Sequence, residues 1–371
     1  MDLSAEQVRQ LRLRSQGLRH DSRGNTKDPA TVLNRVVAVQ AQDPSAATLS
    51  IWARSNGLTA TEVERALSEE HTIVRTWLMR GTLHMAAARD LGWLLPLLGP
   101  RFIRKTRRRY EDLGLDEPAR RTSLSAIHEI LSGRGPMTRS ELVEHLAERG
   151  FPTEGQAGYH LMHHAGLRGL LCYGPEKGGE ETFVLREEWA EIGPALPREE
   201  AHIELARRYL RAYAPAGPED LAAWSGLTLT TSRAAFDALA SQLVEISFAG
   251  EPLWLRSHQG EWLTDDLAGD LNVRLLPRFD TYLLGYRDRS LVVPQEFEKR
   301  VHPGGGILHP VVLVDGLAAG TWKMERKKAR LDVSVEPFED LEDKPIAMLE
   351  DQVRSLARFL ETDGHLKLLP R

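Results

Sequence analysis

One order of elements, a helix, a helix–turn–helix and a β-hairpin, recurs along this chain and limits the folds that it can adopt. In the clearest copy, from about Ser125 to Trp189, the run Thr138-Arg139-Ser140-Glu141 predicts a capping box at the start of the middle helix. The glycine-rich stretch 174–179 lies between two short β patterns and predicts the tip of a hairpin. This order is that of a winged helix. It argues against a parallel sheet, in which strands and helices alternate.

The same order of elements recurs twice more along the chain. Near Gly269 the residue pattern changes. Alternating apolar residues then predict several β segments and one last helix. The predicted helices are 30–39, 44–55, 59–67, 125–132, a helix after Thr138, 154–169, 200–213, 218–224, 231–243 and 345–360. The predicted β segments are 72–85, 170–173, 182–185, 244–248, 252–256, 273–276, 291–293, 311–317, 318–325 and 330–337.

The predicted fold class is α+β, mainly α, with three tandem winged-helix units and a C-terminal antiparallel β-barrel-like domain. The expected domains are 1–120, 121–198, 199–268 and 269–371. The first domain contains a Gln-Ala-Gln corner, and the last one ends in the terminal helix. Because three winged helices in one chain can surround a duplex, no two-fold symmetric partner is required, and we expect a monomer.

Charge and cysteine content limit the binding partners and the cellular compartment that the sequence indicates. With 48 basic and 53 acidic residues the net charge is −5, so the overall charge does not predict a polyanionic partner. The basic residues include 39 arginines, whose planar fork suits phosphate, although a GC-rich genome gives the same bias. A single cysteine, Cys172, and the absence of a signal peptide or a long apolar run predict a cytoplasmic protein without a membrane partner.

The run Gln40-Ala41-Gln42-Asp43-Pro44 is the first candidate for chemistry. Because proline excludes the α conformation from the residue before it, the valine-rich helix upstream must end by Asp43. Asp43 can then cap the next helix, with Pro44 in its first turn. In an extended corner Gln40 and Gln42 share a side, so both amides can converge on one water or one substrate edge. The alternative is a pair of polar residues that only satisfies a turn.

Two basic clusters are candidates for contact with phosphate. The run 101–109 holds six cations, and on a helix its positions i, i+3, i+4 and i+7 form a face that repels itself unless anions neutralise it. The run 323–330 lies between two β segments and predicts a basic hairpin tip. A solvated charged face is the alternative for both clusters. The predicted DNA-binding residues are Arg101, Arg104, Lys105, Arg107, Arg108, Lys323, Arg326, Lys327 and Lys328.

Three histidines, His160, His163 and His164, have the i, i+3, i+4 spacing that can chelate a metal. No cysteine or zincin-type glutamate accompanies them, and packing or solvent contact is the commoner role of such histidines. The chain also lacks a dinucleotide-binding glycine motif, a phosphate loop and a Gly-x-Ser-x-Gly elbow. We therefore expect no metal, no nucleotide and no other cofactor.

Over essentially its full length the chain resembles the AlkZ-type DNA glycosylases, a family of tandem winged helices closed by a C-terminal β-barrel. The segments that carry the resemblance are VQAQD at 39–43, RTWLMRGTLH at 75–84 and LLPRFDTYLLGYRDR at 275–289. The family's catalytic motif is Gln, an apolar residue and then Gln or Asp, which matches Gln40, Ala41 and Gln42. The resemblance implies that Gln40 and Gln42 are catalytic.

The resemblance also implies the substrate, which is double-stranded DNA carrying bulky N3- or N7-alkylated purines, including bases joined in interstrand crosslinks. The enzyme would be a monofunctional, nucleoid-associated glycosylase. Its Gln-x-Gln form resembles the branch that protects antibiotic producers from their own alkylating product. An alkylated purine is cationic and its glycosidic bond is already weakened, so neutral amides that position a water are sufficient. No lysine accompanies the motif, which disfavours Schiff-base chemistry, and a crosslinked base requires an open site.

Two alternatives come from other functional classes. One is a non-catalytic winged-helix transcription regulator, because most winged helices bind DNA without altering it. The other is a protein–protein scaffold, which would show no salt-dependent binding to DNA.

Overall fold

A computed structural model describes residues 1–22, 26–265, 270–327 and 330–370. The helices in these ranges are α1 (Ala5–Ser15), α2 (Pro29–Val36), α3 (Pro44–Ala53), α4 (Ala60–Ser68), α5 (Leu91–Lys105), α6 (Arg107–Asp112), α7 (Glu117–Leu131), α8 (Arg139–Glu148), α9 (Ala157–Leu167), α10 (Arg186–Trp189), α11 (Arg198–Tyr213), α12 (Pro218–Ser225), α13 (Leu229–Leu239), α14 (Ser257–Gly260), α15 (Thr281–Leu284), α16 (Glu298–Val301) and α17 (Asp343–Phe359). The strands are β1 (Ala38–Gln40), β2 (Ile73–Trp77), β3 (Leu83–Ala87), β4 (Met137–Thr138), β5 (Leu171–Lys177), β6 (Glu180–Leu185), β7 (Leu243–Phe248), β8 (Glu251–Arg256), β9 (Val273–Leu276), β10 (Val311–Val314), β11 (Leu317–Lys327), β12 (Arg330–Pro337) and β13 (Asp363–Leu368). None of the helices in these ranges has both the length and the apolar character that a bilayer span requires.

Short-range signals in the sequence begin several of these helices. The Thr138 hydroxyl accepts the backbone N–H of Glu141 at 3.2 Å, and the Glu141 carboxylate accepts the N–H of Thr138 at 2.7 Å, which confirms the predicted capping box of α8. Asp43 accepts the N–H of Ala46 at 3.1 Å, and Pro44 lies in the first turn of α3, as predicted. Both caps satisfy backbone donors that a first helical turn leaves unpaired.

The chain divides into two units, of which the first comprises Met1–Val63 and Ile203–Arg371. Among its described residues, five strands form a sheet in the order β13-β12-β11-β10-β9. Helix α17 packs on this sheet through a buried stripe that includes Leu349, Val353 and Leu356. Within the described ranges β9 and β13 are the edges of the sheet, which makes it an open half-barrel rather than a closed barrel.

The second unit comprises Glu64–His202, and its strands lie side by side in the order β3, β2, β5, β6 and β4. Helix α9 packs closely against β2 and α5. Gly166 of α9 faces the fully buried Trp77, and a Cβ at this glycine would come within 2.2 Å of the indole ring. A Cβ at Gly99 of α5 would lie 2.0 Å from the backbone oxygen of Leu167. Only glycine permits these two approaches.

Most of the predicted elements are confirmed, generally with ends that shift by a few residues, but α7 begins at Glu117, well before the predicted start at Ser125. The hairpins β5–β6 and β7–β8 have the predicted antiparallel pairing. The division into four domains stays a prediction. The confirmed helices include α7, α9, α11, α12, α13 and α17, and the confirmed strands of the C-terminal sheet are β9, β10, β11 and β12.

The β segment predicted at 291–293 is wrong. Val292 and Val293 are buried, but both donate their backbone N–H to the carbonyl of Arg289 at 2.8 Å and close a turn. An apolar run as short as this one suits a buried turn as well as a buried strand, so periodicity does not distinguish them.

The C-terminal sheet also differs from its predicted antiparallel arrangement at one edge. Strand β13, which the sequence pattern did not predict, pairs in parallel with β12, and Val333 lies opposite Leu366. Parallel neighbours need a long crossover connection, and α17 supplies it between these two strands. The terminal helix therefore determines the direction of the last strand.

One fully buried ion pair joins distant parts of the first unit. Arg54, which follows α3, donates to the two carboxylate oxygens of Asp280 at 2.8 and 2.7 Å, and both side chains are 0% exposed. The same guanidinium donates to the Ser50 carbonyl at 3.0 Å, to Gln16 Oε1 at 2.8 Å and to Thr281 Oγ1 at 2.9 Å. The pair therefore fixes α3 against α1 and against the start of α15.

We expect Asp280→Ala to lower the free energy of unfolding by about 3–5 kcal/mol, because it leaves the Arg54 guanidinium buried without its counter-ion. Glu350→Ala is the control, since it removes an exposed carboxylate that pairs with Arg354 within α17. Urea unfolding followed by tryptophan fluorescence measures both changes. Equal losses of stability in the two variants would contradict the structural role of the buried pair.

Candidate active site

Gln40 and Gln42 lie at the corner between β1 and α3. The Nε2 of Gln40 donates to Oε1 of Gln42 at 2.6 Å, so the predicted convergence of the two side chains is confirmed. Gln40 is buried, with 9% of its surface exposed, whereas Gln42 is exposed. Within the described residues the Nε2 of Gln42 donates to no protein acceptor, so its two N–H bonds can serve a ligand or a water.

The backbone in front of this corner has a conformation that the sequence pattern did not predict. The predicted helix 30–39 is wrong at its end, because α2 stops at Val36 and β1 follows. Val37 between them has φ 70° and ψ −54°, a region that β-branched residues rarely adopt. The Tyr213 hydroxyl donates to the Val36 carbonyl at 3.0 Å, and Val37 is fully buried. Tertiary packing therefore holds the strained turn that directs Gln40 into the corner.

The carboxylate nearest to the pair in sequence, that of Asp43, already has partners. Its Oδ1 accepts from the Ser45 hydroxyl at 2.7 Å besides capping α3, and its Oδ2 lies 3.6 Å from a guanidinium nitrogen of Arg278. The Arg278 guanidinium in turn lies 4.7 Å from the centre of the Phe279 ring. Arg278 was not among the predicted site residues, although it lies in the resembling segment 275–289. The corner thus presents two neutral amides and one arginine.

The basic run 101–109 lies on two helices instead of the single helix that its spacing assumed. Helix α5 ends at Lys105 and α6 begins at Arg107, with Thr106 between them. The Thr106 N–H still bonds to the Phe102 carbonyl at 2.9 Å, so the chain continues to turn in the same sense through the break. Arg101 is partly buried, and Arg107 pairs with Glu111 at 2.7 Å. The exposed cations of the run are Arg104, Lys105, Arg107, Arg108 and Arg109.

The second basic cluster lies at the β11–β12 hairpin, as predicted, with Lys327 opposite Arg330. Lys323, Arg326 and Lys327 are exposed. Lys327 lies 3.0 Å from a carboxylate oxygen of Glu325, so part of its charge is neutralised within the hairpin. Lys328, which was also predicted to bind DNA, lies outside the described residues.

The three predicted histidines lie on α9 inside an aromatic cluster. The ring of His163 meets that of Trp77 edge-on at 5.6 Å, and its Nδ1 lies 3.4 Å from the Tyr110 hydroxyl. Tyr110 also contacts the rings of His160 and His164, each at 5.8 Å. Burial lowers the pKa of His163 and of His164 to about 4. In the part of the chain that the structure describes, no three His, Cys, Asp or Glu side chains are grouped so that they could hold a metal ion.

The sequence and the fold match one known family over most of the chain. The model of the AlkZ-like family, described as "DNA glycosylase AlkZ-like", matches residues 33–359. The chain belongs to this family. It is 29% identical over 380 residues to an interstrand DNA cross-link repair glycosylase of Streptomyces sahachiroi, with 96% of this chain and 97% of that protein covered. The solved structure of the Streptomyces sahachiroi DNA glycosylase AlkZ has a TM-score of 0.82 and 27% identity, and the match covers 100% of both chains.

As an AlkZ-like DNA glycosylase, the protein is a hydrolase of N-glycosyl bonds. This membership sets aside the transcription regulator and the protein scaffold as alternatives. Two of the three resembling segments have clear structural roles. The segment 275–289 contains Asp280 of the buried ion pair, and the segment 75–84 forms β2 and β3 around the fully buried Trp77. The segment 39–43 contains the glutamine corner, of which Gln42 is exposed.

We expect the stability of the second unit to fall as the pH is lowered from about 6.5 toward 4. The pKa of His163 and of His164 drops from 6.5 to about 4 on folding, so in this window the unfolded chain binds more protons than the folded one. Thermal unfolding between pH 4 and 7 measures the effect. Replacing His164 by Gln should flatten the dependence, whereas Gln156→Ala, which removes an exposed amide and no titratable group, should not. Equal flattening by both variants would refute this origin.

Proposed function

We propose that this glycosylase removes bulky N3- or N7-alkylated purines from double-stranded DNA, that it unhooks interstrand crosslinks, and that Gln40 and Gln42 are its catalytic residues. The observation that carries the proposal is the hydrogen-bonded glutamine pair with its exposed second member. A crosslinked base cannot rotate into a deep pocket, so an exposed catalytic amide suits such a substrate. The name of the Streptomyces sahachiroi relative, a cross-link repair glycosylase, supports the same substrate class.

The proposed chemistry uses the positive charge that alkylation puts on the purine. As the bond from C1′ to the purine nitrogen breaks, its electron pair neutralises the base and leaves an oxocarbenium-like sugar. A water held by the amide of Gln42 adds to C1′ and loses its proton to solvent. The Nε2 of Gln40 donates a hydrogen bond to the Oε1 of Gln42. This bond directs the Nε2 of Gln42 outward. Neutral amides suffice, because the task is to position a water next to a developing positive charge.

We also propose how the protein binds its substrate. The exposed cations of α5 and α6 and those of the β11–β12 hairpin contact phosphates, and the helix–helix–hairpin copies act as winged helices. Several such copies in one chain allow it to work as a monomer. Because the residues of the corner, Gln40 to Asp43 with Arg278, include neither an amine nor a metal ligand set, the reaction is proposed to be monofunctional and metal-independent. Its proposed biological role is to protect the cell against an alkylating agent that the cell itself produces.

We expect Gln42→Ala to reduce the rate of base release about 10²–10³-fold, the effect typical of losing one hydrogen-bonding group of a transition state, with DNA affinity nearly unchanged. Gln40→Ala should have a milder effect, because it only loosens the orientation of Gln42. The substrate is a duplex with a single N7-alkylguanine, and abasic sites are revealed by heat in alkali under single-turnover conditions.

The control variant for this experiment is Gln295→Ala, which removes an exposed glutamine from a different loop. Its rate should equal that of the wild type. A wild-type rate in Gln42→Ala would refute the catalytic assignment. Inactivation by EDTA, or a protein–DNA adduct trapped by borohydride, would refute the proposed mechanism even if both glutamines matter.

We expect the combined replacement of Arg104, Lys105 and Arg108 by Gln to weaken DNA binding to a similar extent for all sequences. The slope of log affinity against log salt should become shallower by about 0.9 for each phosphate that the variant no longer binds. The matched control replaces Arg89, Arg121 and Arg134, which are exposed cations elsewhere in the same unit. Fluorescence anisotropy across a salt series measures both slopes, and equal changes would assign the effect to total charge alone.

A further inference from the structure

Arg278 is held near Asp43 by constraints on the two residues that follow it in the chain. Two residues later, Asp280 is fully buried in the ion pair with Arg54. Between them, Phe279 has φ 61°, so the chain reverses there in a conformation that bulky residues rarely adopt. The Arg278 guanidinium lies over the ring of Phe279 at 4.7 Å. The position of this arginine is therefore fixed by the core of the first unit.

The contact that Arg278 makes with the protein leaves most of its donors unused. Its ion pair with Asp43 measures 3.6 Å, which is longer than a charge-assisted hydrogen bond, and its side chain is 40% exposed. Asp43 already accepts two hydrogen bonds through its other carboxylate oxygen. A guanidinium has five N–H donors in a planar fork, so this group can bind an oxyanion in bidentate fashion.

Asp43, which pairs with Arg278, is the chain neighbour of Gln42, whose amide is proposed to hold the water. Resting on that proposed function, we infer that Arg278 binds a backbone phosphate next to the damaged nucleotide and so sets the position of C1′ relative to Gln42. Asp43 holds the guanidinium in place in the free protein. When DNA binds, the phosphate accepts hydrogen bonds from the N–H donors that Asp43 does not use. Arg278 is a positioning residue in this scheme, because it touches the substrate backbone and not the bond that breaks.

A second arginine in the same unit provides a matched control. Arg300 pairs with Glu336 at 2.7 Å, lies over the ring of Phe338 at 4.7 Å, and is 32% exposed. Like Arg278, it contacts a carboxylate and an aromatic ring and is partly exposed to solvent. Its ion pair is shorter, and its partner Glu336 has no glutamine next to it in the chain. Replacing Arg300 by Gln changes net charge and local packing in the same way.

The test combines Arg278→Gln with DNA in which one phosphate at a time is replaced by a neutral methylphosphonate, on either side of a single N7-alkylguanine. In the wild type and in Arg300→Gln, one methylphosphonate position should lower kcat/KM for base release about ten- to hundredfold, through kcat as well as KM. Arg278→Gln should show that reduction on unmodified DNA and no further reduction at that position. Arg278→Lys should recover part of the activity.

Two results would overturn the inference. One is that every methylphosphonate lowers kcat/KM as much in Arg278→Gln as in the wild type. The other is that no position affects the wild type. Thermal unfolding of Arg278→Gln identifies a purely structural defect, which would lower kcat on all DNAs without removing the sensitivity to any methylphosphonate. If the wild type releases no alkylated base, the proposed function itself fails. If base release depends on Gln42 but the methylphosphonate effects are the same in both proteins, only the role of Arg278 fails.

Discussion

The buried pair of Arg54 and Asp280 is the interaction on which the geometry of the candidate site depends. It joins residues 226 positions apart in the chain and holds the end of α3, whose other end carries the Asp43 cap next to Gln42. Two charges in the interior are expensive to desolvate, and apolar residues of the same volume are often no less stable. A bidentate pair, however, fixes direction as well as distance. We interpret it as the element that gives the glutamine corner one orientation.

The choice of amides at the corner has a physical reason of its own. Gln40 is buried, and a carboxylate in its place would have to be desolvated or protonated. An amide can be buried at much lower cost as long as its groups are hydrogen-bonded, and the bond of 2.6 Å to Gln42 meets part of that need. The buried Gln40 thus fixes the orientation of the pair, and the exposed Gln42 can contact a ligand. For the cationic leaving group of the proposed substrate, this mild arrangement is sufficient.

The sequence predicted those features that depend on near neighbours and missed those that depend on distant ones. The Asp43-Pro44 start of α3 and the box of Thr138 and Glu141 follow from contacts three residues apart, and both are confirmed. The convergence of the glutamines followed from the same local reasoning. The positive φ of Val37 could not be predicted, because it depends on the hydroxyl of Tyr213 and on burial. The parallel β13 likewise depends on where α17 packs.

The same limit applies to charge, since a net value of −5 does not reveal where the protein can meet DNA. In the first unit, helices α12 and α13 and the hairpin β7–β8 line a cavity of about 770 Å³. Its lining includes two arginines, Arg233 and Arg287, and five carboxylates, Glu219, Asp220, Asp237, Glu245 and Glu251. Because its carboxylates outnumber its guanidiniums, this cavity suits phosphate less well than the basic runs do. The position of the charges within each unit, and not their sum over the chain, therefore decides where a phosphate can bind.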